Sequence, residues 1–233
     1  TYASIVPHTI EEAYEVADAI AREDWAELRD ELGDLLFQVV FYAQIAREEG
    51  RFEFSDVARG IADKMTRRHP HVFGDERYAD ATEQTAAWER IKAGEKASPP
   101  TGALDGVPLA LPALTRAVKL QKKAAKVGFD WGALEPVLAK IAEEIGEIRH
   151  EIASNAAPER LADELGDVLF AVANLARHLH LDPEAALRGT NAKFERRFRQ
   201  VESWLMEKGR TPAESTLAEM DGLWERAKLE EKR

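Results

Sequence analysis

The residues best able to do chemistry in this 233-residue chain are paired carboxylates, Glu144 with Glu147 and Glu164 with Asp167. Side chains three apart on a helix share a face, so each pair projects together. Two unit charges about 4 Å apart cost roughly 4 kcal/mol at an effective dielectric near 20, so converging carboxylates need protons or a cation between them. Oxygen-only ligation favours Mg²⁺, with Mn²⁺ as a substitute; where iron and zinc bundles have Glu-x-x-His, each unit has Glu-x-x-Glu, with glutamate and no histidine at the partner position. A single Glu-x-x-Glu is usually a solvated helix face. Here the first half repeats it, with Glu12 and Glu15 followed by Glu31 and Asp34. Thr9-x-x-Glu12 also matches a capping box, which would give Glu12 a purely structural job. Glu144 has no such alternative, because Ile141 stands three residues before it. Asp167, directly before Val168-Leu169-Phe170, is expected to face a bundle interior. Gly33 and Gly166, each about 1 kcal/mol unfavourable in mid-helix, imply close backbone approach.

Cations and an aromatic accompany the acids. Lys193 and Arg197 are four apart, and Lys228 lies four beyond Trp224, so each helix presents them on one face. Carboxylates around a divalent metal, beside Lys, Arg and an indole, suit a polyphosphate attached to a base. Taken singly, the basic residues read as solvated faces and Trp88 and Trp224 as core. No G-x-x-x-x-G-K-[ST] loop is present, so side chains and metal would have to grip the phosphates. His69-Pro70-His71 and His178-Leu179-His180 lack companion ligands at metal spacing and read as structural. The run Arg116, Lys119, Lys122, Lys123 and Lys126 reads as a solvated helix face.

The elements that must position these groups are helices. Leu28, Leu32, Leu35, Val39 and Tyr42 or Ala43 make a helical stripe, as do Leu161, Leu165, Val168, Val172 and Leu175. Asp182-Pro183 reads as an N-cap and first helical residue, and Ser55 offers an equivalent start in the first half. Four blocks recur in order. Glu11–Glu15 pairs with Glu143–Glu147, Asp30–Phe37 with Asp163–Phe170, Lys64–Arg68 with Lys193–Arg197, and Trp88–Lys92 with Trp224–Lys228. The expected architecture is all-α: a tandem repeat of two four-helix-bundle-like units, about four helices each, completed by pairing of units or chains. Gly and Pro concentrate around Ser98-Pro99-Pro100-Thr101-Gly102, giving units at 1–97 and 113–233 with a linker at 98–112.

Composition sets the outer limits. A net charge of −11 argues against nucleic acid or an anionic membrane as partner. With no cysteine, disulfides, thiolate metal sites and a Cys nucleophile are excluded, and a reducing cytoplasm is the expected location. Apolar runs such as Val168–Ala173 fall far short of the ~18 residues of a membrane span, and no signal-peptide pattern opens the chain.

Several segments together resemble the MazG family of nucleoside triphosphate pyrophosphohydrolases over essentially the whole chain. They are Glu11-Glu12-x-Tyr14-Glu15, Glu31–Phe41, Arg67–Phe73, Val127-Gly128-Phe129-Asp130-Trp131 and Lys193-Phe194-x-Arg196-Arg197-Phe198. The resemblance implies tandem all-α units, a homodimer, and Mg²⁺-dependent hydrolysis of ribo- and deoxynucleoside triphosphates, ATP among them, to monophosphate and pyrophosphate. It implies that the second unit is catalytic, with Mg²⁺ on Glu144, Glu147, Glu164 and Asp167, and with Glu143 or Glu164 orienting water. Lys140, Glu143, Lys193, Arg197, Trp224 and Lys228 take the nucleotide-contact positions; Asp163 stands where a relative has glutamate. The first unit keeps Glu12, Glu15, Glu31, Asp34, Lys64, Arg68, Trp88 and Lys92 as a second site. It has His8 in place of Lys140 and, within this chain, no counterpart of Gly128–Trp131, which would fall before Thr1, so it is expected to bind metal without turnover. Narrower readings are a dUTP or phosphoribosyl-ATP pyrophosphohydrolase; outside enzymes, a helical nucleotide-binding scaffold or sensor.

Overall fold

The computed structural model describes residues 1–95 and 102–231, and every regular element among them is helical. Two compact units divide the chain, Thr1–Pro99 and Pro100–Arg233. Of the expected linker 98–112, residues 98–101 lie outside the described residues; 102–112 hold turns, and the first helix of the second unit starts at Ala113.

The first unit contains α1 (Tyr2–Ala21), α2 (Trp25–Glu48), α3 (Phe54–Arg68), the single turn α4 (Pro70–Phe73) and α5 (Ala81–Gly94). α1 and α2 form an antiparallel hairpin whose buried contacts are mostly small, Ala19, Ala43 and Ala46, so the helices approach closely. Asp24 caps α2 through Glu27 N–H at 3.1 Å. Two expected starts are corrected. Thr1, with Ser4 in reply, closes the capping box of α1, which leaves Thr9 inside the helix, its hydroxyl on Ile5 O and on the Tyr42 hydroxyl. Glu12 therefore has no capping role. α3 begins at Phe54 rather than after Ser55, because Glu53 and Asp56 form the reciprocal box.

The second unit contains α6 (Ala113–Ala125), α7 (Leu134–Ala153), α8 (Pro158–His178), α9 (Pro183–Met206), a 3₁₀ turn at Pro212–Glu214, and α10 (Leu217–Glu230). α7 and α8 repeat the α1–α2 hairpin, α6 packs on α8, and α9 pairs with α10. Asp182 caps α9 with Pro183 as first helical residue, as its sequence implies. Val201, Trp204, Leu205 and Ala227 close the α9–α10 contact, with Arg226 4.0 Å over the Trp204 ring. Gly128, at φ +88°, ends α6: Gly128 N–H donates to Ala125 O and Phe129 N–H to Ala124 O, a left-handed stop that turns Phe129, Asp130 and Trp131 back toward the bundle.

The apolar stripes are only half covered. Leu32, Leu36, Phe37 and Phe41 on α2, and Leu165, Leu169 and Phe170 on α8, are all between 44% and 55% exposed. The reason inferred for Gly33 and Gly166 fails: an added Cβ would meet nothing within 4 Å at either position.

Candidate active site

α7 and α8 bring one acid pair from each helix together. Glu144, Glu164 and Asp167 each offer a carboxylate oxygen within 4.8 Å of the others. Glu144 is 5% exposed, and its Oε2 is buried without a hydrogen-bond partner among the described residues. Its Oε1 lies 2.7 Å from Lys140 Nζ, which also donates to Glu143 Oε1 at 2.8 Å. Those bonds, the one to Glu143 first, raise the Lys140 pKa, so the ammonium stays charged. Glu147 lies beside this group rather than in it: desolvation, then repulsion from Glu144 and Glu164, raises its carboxyl above the ordinary value. Asp167 does not face a sealed interior as expected; it is exposed and reaches the wall of an open cavity. Three converging oxygens, one acid with an orphaned buried atom, and a fourth acid short of charge compensation are a donor set that fits a hard divalent cation.

The cavity measures about 640 Å³ and takes its wall from α6, the Gly128–Trp131 turn, α7 and α8. Glu144, Asp167 and Lys140 share that wall with apolar groups, Leu120, Phe129, Trp131, Val137 and Phe170 among them. Sequence reasoning missed its neutral polar residues, Gln121 and Asn174, 8% and 6% exposed. A signal existed for one of them: Asn174 lies seven residues after Asp167, two turns on along the same face of α8. Arg177, one turn further, holds Asp130 with both Nη atoms, and this bond more than any other lowers the Asp130 pKa.

The remaining predicted contacts form a separate group on α9 and α10. Arg197 donates to Glu231 at 2.7 Å and lies 5.8 Å over the Trp224 ring, while Trp224 packs 5.1 Å from Phe194. Lys228 bonds Glu225 at 2.8 Å and Lys193 is exposed. None of these four lines the cavity, and Asp163 is exposed near Arg160.

The first unit repeats both groups. Glu12, Glu31 and Asp34 converge within 4.8 Å; desolvation first, then repulsion from neighbouring acids, raises the pKa of Glu15 and of Glu31. Arg68 pairs with Glu95 and lies 5.7 Å over Trp88, which Lys92 also approaches, at 4.5 Å; Lys64 is exposed. His8 Nδ1 lies 3.5 Å from the exposed carboxylate of Glu11. No histidine joins a metal-type cluster among the described residues; His178 leans on Asp130 and His69 on Met65 O.

The model of the MazG nucleotide pyrophosphohydrolase domain matches residues 1–73 and 133–202, more than half the chain and both carboxylate clusters. The chain belongs to the MazG family. It is 52% identical over 233 residues to a nucleoside triphosphate pyrophosphohydrolase of Escherichia coli K12, covering 99% of this chain and 89% of that one. It is 41% identical to the nucleoside triphosphate pyrophosphohydrolase/pyrophosphatase MazG of Thermotoga maritima, over 98% of this chain and 86% of the relative. The uncharacterized protein YabN of Bacillus subtilis shares 46% identity over 100% of this chain but 48% of its own length. Within the family-matched segments fall Lys140, Glu143, Lys193 and Arg197; Trp88, Lys92, Trp224 and Lys228 lie outside them. Among the described residues, no helix is long and apolar enough to cross a membrane.

Proposed function

We propose that this MazG-family chain is a hydrolase that cleaves nucleoside triphosphates to monophosphate and pyrophosphate, and that the second unit does so with Mg²⁺. The observation that carries the reading is the carboxylate triad opening, with Lys140, onto one cavity. Glu144, Glu164 and Asp167 would hold the cation, with Glu147 beside them; when bound, it supplies Lewis acidity toward phosphate oxygens and a coordinated water of lowered pKa. Lys140, kept protonated by Glu143 and Glu144, neutralises phosphate charge. Glu143 or Glu164 orients the attacking water, and Lys193, Arg197 and Lys228 balance charge on the pyrophosphate leaving group. Since these last three stand apart from the cavity, a second copy is the natural means of completing the site. The exposed apolar face of α8 is the surface a homodimer would cover, and a cytoplasmic location belongs to the same reading.

The test is product analysis by anion exchange after incubation with mixed ribo- and deoxynucleoside triphosphates, with Mg²⁺ or with EDTA. Monophosphate and pyrophosphate should appear only with Mg²⁺. Diphosphate and phosphate, or no product, would overturn the reading. Full activity in a monomer produced by dilution would remove the dimer from it.

A further inference from the structure

We propose that the cavity of the second unit receives the nucleobase of the substrate and that Asn174 reads it, donating a hydrogen bond from Nδ2 to a carbonyl oxygen or ring nitrogen of the base. This rests on the triphosphate reading above and adds where the base lies and what recognises it.

The amide is held in one orientation. Arg177 Nε, which can only donate, bonds Asn174 Oδ1 at 2.8 Å, so the NH₂ group must point the other way. There it has no hydrogen-bond partner among the described residues, although Asn174 is 6% exposed and lines the cavity. Arg177 is itself fixed by both oxygens of Asp130, which the left-handed turn at Gly128 delivers. The chain from Gly128 through Asp130 and Arg177 to Asn174 thus presents a preset neutral donor. Beside it, Gln121 Nε2 donates to Phe170 O at 2.9 Å, which leaves Gln121 Oε1 buried without a partner. Two incompletely bonded amides among the apolar groups of the wall, Phe129, Trp131 and Phe170, suit a flat heterocycle with polar edges.

Placement and charge agree. Asp167 and Asn174 lie seven residues apart on α8, about 10 Å along the axis, which leaves room for a sugar between phosphates held at the carboxylates and a base at the amide. Asp130 and Arg177 neutralise one another, so this part of the wall has no net charge with which to hold a phosphate. The other address for the base is Trp224 on α10, whose ring is already packed against Phe194.

The experiment compares wild type with Asn174→Asp, which still accepts from Arg177 but loses the donor, and with the uncharged Asn174→Leu. Substrates are the four common ribonucleoside triphosphates and base-less ribose 5-triphosphate, with binding followed in parallel by tryptophan fluorescence. Both variants should raise KM and Kd for the best nucleotide about three- to tenfold, the weight of one neutral hydrogen bond. They should leave kcat within about twofold and leave the base-less compound unchanged. Equal losses on the base-less compound would overturn the proposal, since Asn174 would then serve the sugar, the phosphates or the fold. So would unchanged constants in both variants, or a base-dependent loss in Trp224→Ala alone. Nucleotides that bind but are not cleaved would defeat the proposed function, while the Kd comparison still decides this one. Nucleotides that do not bind would defeat both.

Discussion

The two units carry the same acids on the same pair of helices and differ in what surrounds them. In the second, Glu144 is bonded by the ammonium of Lys140 and opens onto a cavity. In the first, the matching Glu12 accepts instead from Gln38 Nε2 at 3.3 Å, and Gln38 occupies the place that Ala171 takes in the cavity wall. The same register sets Phe41 against Asn174, and the register that matches Glu12 with Glu144 sets His8 against Lys140. On the reading proposed above, the carboxylate cluster would hold a metal in either unit, while the cavity for a nucleotide and the Lys140 ammonium beside it distinguish the second. The Arg–Glu–Trp group, Arg68 with Glu95 and Trp88, Arg197 with Glu231 and Trp224, is common to both, so it does not explain the difference.

Lys140→Met should cost the largest factor, roughly ten- to hundredfold in kcat/KM, as expected for a charge-assisted contact. The converse His8→Lys should create no activity in the first unit, because Gln38 and Phe41 remain; new turnover in a His8→Lys, Glu144→Gln double variant would refute this. Ala171→Gln, which copies the first unit's Gln38 into the second, should fill part of the cavity and raise nucleotide KM about tenfold while the melting temperature holds. An unchanged KM would mean that the cavity is not where nucleotide binds.

Smaller effects concern both units alike. Free Mg²⁺ at a hundred times its Kd stabilises by about 2.7 kcal/mol, a rise of several degrees in melting temperature. Glu12→Gln and Glu144→Gln should each remove part of that rise, read by calorimetry. Last comes pH. Glu15, Glu31 and Glu147 have raised pKa values, so between the ordinary carboxylate value and the raised one the folded chain binds more protons than the unfolded chain. This contribution to the stability of metal-free protein is full below that window and is lost as pH rises through it. Glu147→Gln should flatten the slope of melting temperature against pH, and an unaltered slope would show that Glu147 does not titrate there.

How much of this the sequence discloses follows from which signals are periodic. Acid pairs at three-residue spacing, their duplication and the helical stripes are one-dimensional patterns, and Glu144, Glu164 and Asp167 meet as those patterns require. The Asp182-Pro183 start is equally legible, since cap and proline act within one turn. Thr9 misled because a capping box is defined by three residues' spacing, whereas the box that forms is set by where the helix begins, at Thr1. Gln121 and Asn174 stayed hidden for another reason: a neutral amide among apolar residues has no signature until the partner helix that satisfies half of it is in place. The separation of Arg197 and Trp224 from the cavity could not be read either, since residues on two helix pairs share no register in the sequence.

The most direct measurement is turnover of nucleoside triphosphate, with Mg²⁺, by Glu12→Gln and Glu144→Gln prepared side by side, each checked for an unchanged helical spectrum. Glu144→Gln should lose at least a hundredfold in kcat, the scale on which removing a group that stabilises the transition state is felt, and Glu12→Gln should change within about twofold. Equal losses in the two variants, or a greater loss in Glu12→Gln, would contradict this.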